Sequence, residues 1–218
     1  MALYGILAGI DGNLEALHAV LAACDARGVT KLACVGNIVG YNADPDECGE
    51  ILRARKALVV AGEHDRIATR MQGYGSCSNG ERHALARTRR EMRRDTAAWL
   101  RALPATRELD EGIVLDGAKG QCRLARGAIP FIAPGSVDAQ RKPHRFAECA
   151  IFDSDAGTVD YLRLRYDAAA TEAKAAVAGY RGVPLFGAFY SVSRMARVAV
   201  ASLPALRMPG TIIGTSAR

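Results

Sequence analysis

LYGILAGIDGNLEALHAVL, residues Leu3–Leu21, is the stretch that decides the fold. A short apolar run, Leu3–Ala8, stops at Gly9-Ile10-Asp11-Gly12-Asn13, and Leu14, Leu17, Leu21 and Cys24 then recur at helical spacing until Gly28. The run predicts a buried strand and the spacing a helix, with Asn13 as its N-cap and Gly28 closing it. In open α/β sheets, ligand sites lie beyond the C-terminal ends of the strands, so residues 9–13 would line any site this chain has.

The same unit repeats. Lys31–Val35 reads as a second strand, ending at Gly36-Asn37-Ile38-Val39-Gly40-Tyr41, and Asp44-Pro45-Asp46-Glu47 opens a helix that runs to about Arg55. Ala57–Ala61 reads as a third strand, ending at Gly62-Glu63-His64-Asp65. Short connections of this kind imply parallel strands with right-handed crossovers, so the ends near residues 9–11, 36–37 and 62–65 should converge on one edge. From Gly80 a helical pattern runs to about Leu103, with a break expected near Asp95; Leu85, Met92 and Trp99 form its apolar stripe, and Arg87, Arg90 and Arg94 share another face. Beyond Pro104 the pattern changes to short strands: Gly112–Leu115, Ile129–Ala133, and a hairpin of Cys149–Asp153 with Val159–Leu164. Asp167–Tyr180 reads as an Ala-rich helix. The whole implies two packed sheets with outer helices.

The composition bounds the class. The chain has 218 residues, half of them hydrophobic and 24% charged, with a net charge of +6. That is a globular composition with no run long enough to span a bilayer and no leader-like N-terminus, so the expected address is the cytoplasm, with no membrane partner. The basic excess is modest and spread out. The Arg87, Arg90 and Arg94 face lacks interleaved aromatics, so a solvated face is expected there rather than a nucleic-acid surface. None of the six cysteines forms a C-x-x-C pair; Cys24, Cys34, Cys48 and Cys149 read as small buried hydrophobes, and Cys77 as an exposed loop thiol.

Taken together, Gly12-Asn13-Leu14-Glu15-Ala16-Leu17, Val35-Gly36-Asn37-Ile38-Val39-Gly40-Tyr41, Asp44-Pro45-Asp46-Glu47-Cys48, Gly62-Glu63-His64-Asp65, Pro134-Gly135-Ser136-Val137 and the segment Tyr161–Lys174 resemble the calcineurin-like metallophosphoesterases, in particular their small bacterial branch. The resemblance covers roughly residues 2–180. It implies an α/β fold, a four-layer sandwich of two mainly mixed β-sheets flanked by helices, with one strand–helix segment missing. It also implies a phosphoesterase chemistry resting on two divalent metals bridged by an anionic ligand.

The ligands that the resemblance calls for are altered. Where the family has D-x-H, this chain has Gly9 and Asp11. Asn37 stands for the bridging Asp, and a neutral amide does not offset the repulsion of two dications. Glu63 replaces the Asn of the third motif, while His64 and Asp65 remain. Asp116 is the nearest match to a further His. The interval Gly117–Ile132 contains no His and is too short for the family's G-H-x-H segment. The expectation is therefore a chain with no catalytic residue except a vestigial His64, no metal ligands and no cofactor. The alternative is a single divalent cation, or a mononuclear phosphoesterase site, on Asp11, Glu63, His64 and Asp116. Asp11, Asn37, Glu63, His64 and Asp116 are expected to cluster, either as a repurposed binding pocket or as a drifted, water-facing remnant. Residues 1–180 read as the domain and 181–218 as an apolar extension that packs on it or on a partner subunit, which implies a homo-oligomer or a protein partner.

Overall fold

The computed structural model describes residues 2–75, 77–109, 112–124, 131–138 and 145–181. Of the expected C-terminal extension 181–218, residues 182–218 lie outside the described residues.

Strand β1 (Leu3–Leu7) feeds helix α1 (Leu14–Ala26), β2 (Lys31–Cys34) feeds α2 (Pro45–Ala54), and β3 (Leu58–Val59) is followed by α3 (Glu63–Ala68). β1 pairs parallel with β2, and β2 with β3. The middle of the chain supplies α4 (Asn79–Glu91), α5 (Arg94–Ala102), and strands β4 (Thr106–Glu108), β5 (Ile113–Asp116), β6 (Gln121–Leu124) and β7 (Phe131–Ile132). The hairpin β8 (Ala147–Asp153) and β9 (Thr158–Leu164) returns antiparallel to β1, and α6 (Ala168–Val177) follows. The result is a mixed sheet in the order β3-β2-β1-β8-β9 and an antiparallel sheet in the order β4-β5-β6-β7.

Side-chain alternation explains why β1 reads as continuously apolar. Leu3 and Leu7 face a core shared with α1, α2 and α5, whereas Tyr4 and Ile6 face a second core between the sheets, with Val35, Leu115, Cys122, Ile132 and Phe152. Burying both faces leaves no room for polar residues. Gly5 leaves room for its neighbours: a Cβ there would meet Cys24 Sγ of α1 and a Leu32 methyl, each at 3.0 Å. The Asn13 side chain caps α1, accepting from Ala16 N–H at 3.0 Å.

Several local expectations shift. The long helix divides at Met92–Arg93 rather than Asp95, so Arg94 belongs to α5 and does not share a helix face with Arg87 and Arg90. Asp44 precedes α2 but makes no capping bond; its carboxylate pairs with Lys174 of α6 instead. Residues 63–68 form a helix where the sequence reading ended at a turn, and β4 and β6 are additional strands. Cys77 is half-buried, and burial raises its pKa, helped by the nearby Glu81 and Glu63, so it is not an activated thiol. Among the described residues, no helix is long and apolar enough to cross a membrane.

Candidate functional site

The three parallel strands end together, and backbone hydrogen bonds lock their loops. Gly9 N–H donates to Gly36 O, Asp11 N–H to Asn37 O, and Gly12 N–H to Ile38 O, at 2.9–3.1 Å. The third loop is fixed by one carboxylate. Asp65, fully buried, accepts backbone N–H bonds from Gly62, Asn37, Ile38 and Val39 at 2.8–3.1 Å. Burial holds its pKa above the usual carboxylate value against the pull of the backbone donors. Gly36 has φ +94°, and a Cβ there would come within 2.5 Å of the Gly62 backbone, so the second and third strand ends touch main chain to main chain.

On this platform Asp11 and Asn37 both adopt left-handed backbone, at φ 53° and 55°, a conformation that Asp and Asn tolerate better than most residues. The turn aims the Asp11 carboxylate at His64, whose Nδ1 lies 2.6 Å from Asp11 Oδ1. Asn37 Oδ1 accepts the His64 backbone N–H at 3.0 Å. On the far side of the ring, Nε2 lies 3.1 Å from the Tyr41 hydroxyl, which itself donates to Glu81 Oε1 at 2.9 Å. With the phenol proton directed at Glu81, the phenol oxygen can accept from a protonated Nε2, and the Asp11 carboxylate from a protonated Nδ1. Burial works against the imidazolium, but the Asp11 carboxylate outweighs it, and the pKa of His64 stands above its ordinary value. Glu81 is in turn held by the capping box of α4, bonding Ser78 N–H at 2.9 Å. One chain of hydrogen bonds thus runs Asp11–His64–Tyr41–Glu81–Ser78, tying the first strand end to the start of α4.

A second buried network lies beneath it. Asn13 Nδ2 donates to Asp138 Oδ1 at 2.9 Å, and Asn13 Oδ1 accepts from Thr171 Oγ1 at 3.0 Å. Burial, reinforced by the Asp11 charge, pushes Asp138 up to about 6. Ser136 Oγ bonds the carbonyls of Gly9 and Asp138 at 3.1 and 2.9 Å, so it serves as a turn brace. Arg181, beyond the end of α6, donates to Tyr41 O and Asn42 Oδ1 at 2.8 and 3.0 Å.

Of the five sequence-selected residues, Asp11, Asn37 and His64 come together. Glu63 turns aside, its Oε1 lying 3.5 Å from Gln72 Nε2. Asp116 folds onto its own turn, accepting from Ala118 N–H and Lys119 N–H at 3.1 and 3.2 Å. Tyr41, Glu81 and Asp138 were not singled out by sequence. Tyr41 lay inside a quoted motif, but only the folded distance to His64 gives it a role.

No family model matches the sequence. An uncharacterized protein of Methanocaldococcus jannaschii is 33% identical over 103 residues, a match that spans 47% of this chain and 42% of that protein. The chain therefore covers less than half the length of that relative. Among solved structures, a metallophosphoesterase from Sphaerobacter thermophilus superimposes with a TM-score of 0.66 at 22% identity, over 82% of this chain and 94% of that one. A hypothetical protein from Pyrococcus horikoshii gives 0.66 at 17% identity, over 83% and 95%. The chain has the metallophosphoesterase fold.

That fold implies metal ions, and the donor chemistry here can be tested against them. A two-metal centre needs a bridging anion and free carboxylate or imidazole lone pairs. Asn37, which the sequence resemblance sets at the bridge, is neutral, and its oxygen is already bonded to the His64 amide. Asp11 faces His64, whose two ring nitrogens are engaged by Asp11 and the Tyr41 hydroxyl, and Asp65 is consumed by backbone donors. Among the described residues, no three His, Cys, Asp or Glu side chains converge as ligands. The described residues do not fit a two-metal centre of the metallophosphoesterase kind. The single-cation alternative would need Glu63 and Asp116 to turn towards Asp11.

Proposed function

We propose that this protein is a non-catalytic member of the metallophosphoesterase fold, acting by binding a ligand, a protein or copies of itself. The observation that supports this reading is the Asp11–His64 ion pair at 2.6 Å, with both side chains about nine-tenths buried. In a metallophosphoesterase the groups at these strand ends must present lone pairs to cations and phosphate. Here the His64 ring is bracketed by Asp11 and Tyr41, an arrangement that favours the protonated imidazole and aims it at those two groups. A doubly protonated ring has no lone pair for a metal and no vacancy to accept a proton as a general base. The cytoplasm is the compartment that suits six unbridged cysteines.

The test is elemental analysis of the untagged protein beside an aryl phosphodiesterase assay with added manganese. The expected result is no stoichiometric transition metal and no turnover above that of the Asp11→Ala and His64→Ala variants. Turnover that needs manganese and disappears in those variants would replace this reading with a phosphoesterase whose site rearranges on binding metal.

A further inference from the structure

The larger sheet ends at β9, a seven-residue strand. The direction of its backbone groups follows from β8. Glu148 N–H donates to Ser136 O, and Ser154 N–H to Ala2 O, both on the β1 side of β8. Even-numbered β8 residues therefore direct their amides towards β1. The register Glu148↔Arg163, Ala150↔Tyr161 and Phe152↔Val159 then turns the N–H and C=O groups of Val159, Tyr161 and Arg163 outward, away from β8. Among the described residues nothing bonds to this outer row. Tyr161, at its centre, is 56% exposed, one of the most exposed large hydrophobic side chains.

We propose that this edge pairs antiparallel with the same edge of a second copy, centred on Tyr161, joining two sheets into one. The sequence Thr158-Val159-Asp160-Tyr161-Leu162-Arg163-Leu164 is complementary to itself about that centre. Tyr161 lies opposite the partner's Tyr161, Val159 opposite the partner's Arg163, and Asp160 opposite the partner's Leu162. Every outward residue then has an outward partner, and no like charges are opposed. Slipping two residues one way sets Asp160 against the partner's Asp160. Slipping the other way leaves Val159 opposite Arg165, beyond the end of the strand. Exposed edges are commonly protected by charge; here Asp160 and Arg163 already have counter-charges in their own chain, Arg27 at 3.7 Å and Glu148 at 3.3 Å. They therefore select a register rather than forbid pairing. A self-complementary strand favours a second copy over an unrelated one. The inference is independent of whether the strand-end site is catalytic.

Sedimentation velocity of the full chain should show a concentration-dependent dimer. Tyr161→Pro removes an outward N–H and no bond to β8, so it should leave the circular dichroism unchanged and weaken the dimer at least about tenfold. In a Cys77→Ser background, Tyr161→Cys places two sulfurs across the two-fold axis. Directly opposed residues of a hydrogen-bonded pair lie about 5.5 Å apart at Cα, within disulfide range. Diamide should then take two electrons and two protons from the paired thiols and leave a covalent dimer. A chain that stays monomeric at all concentrations, a dimer that Tyr161→Pro leaves intact, or the absence of a cross-link would each overturn the proposal. If Tyr161→Pro fails to fold, the cysteine experiment alone decides.

Discussion

His64 is more easily protonated in the folded protein than in the unfolded chain, so its linkage to stability has a definite sign. A raised folded pKa contributes stability that is complete below the unfolded value of about 6.5 and is lost as pH rises through the folded value. Stability should therefore fall as pH is raised above about 6.5, and His64→Gln should flatten that slope. Asp11→Asn, which leaves the imidazolium without its anion, should cost about 3 kcal/mol at pH 6. The penalty should shrink towards pH 8.5, where the ring can lose its proton; urea unfolding at the two pH values measures it. Asp138 acts in a lower window with the same slope. Its folded pKa of about 6 lies above the unfolded carboxylate value of about 3.9. The native state thus binds the extra proton, and stability should decline between those two values. Asp138→Asn keeps the shape and removes the titration, so it should abolish that decline without altering the slope above it.

At the scale of elements, the three strand ends act as one unit because Asp65 bonds the backbone of two of them and the first is laddered to the second. Asp65→Asn replaces an acceptor of four N–H bonds with an amide whose NH₂ opposes some of those donors. The expected loss is about 3 kcal/mol, read as a fall of roughly 6–12 °C in melting temperature, with hydrogen exchange accelerated at Ile38 and Val39. Gly36→Ala should be as severe, because the obstructing atoms are backbone and cannot swing away. The parallel ladder, the cap at Asn13 and the β8–β9 hairpin were legible in the sequence, since each rests on a local signal: an apolar run, a capping side chain, or two runs around a turn. The break at Met92–Arg93 was not legible. Arg93 N–H leaves the helical pattern to bond the Asp46 carboxylate of α2, a tertiary partner that no local window contains. The candidate site was legible only in part. The residue types at 9, 11 and 37 were visible as letters, whereas the Tyr41–His64–Asp11 line depends on bringing together residues from two loops and the first turn of α3.

For the whole molecule, the non-catalytic reading proposed above is tested by placing at the strand ends the letters that the resemblance calls for. The variant carrying Gly9→Asp, Asp11→His, Asn37→Asp and Glu63→Asn tests it. Gly9 has φ +59°, and a Cβ there would come within 2.8 Å of Ser136 Oγ, so the new carboxylate strains the turn and disturbs the brace between Ser136 and Gly9 O. Asp11→His sets a second imidazole beside His64 and removes its anion. Together these changes should destabilise the protein by at least about 3 kcal/mol. On the proposed reading these letters would still leave any metal pair incompletely held, because Gly117–Ile132 supplies no histidine to close its shells. Losing only the groups that orient a metal's ligands typically costs about 10–100-fold in affinity or activity, and on the proposed reading some of the ligands themselves are absent. The variant should hydrolyse an aryl phosphodiester no faster than the parent, and millimolar manganese should not raise its melting temperature. A manganese-dependent rise would show that four letters suffice to rebuild an ion site, since a ligand at 100 times its Kd stabilises the native state by about 2.7 kcal/mol.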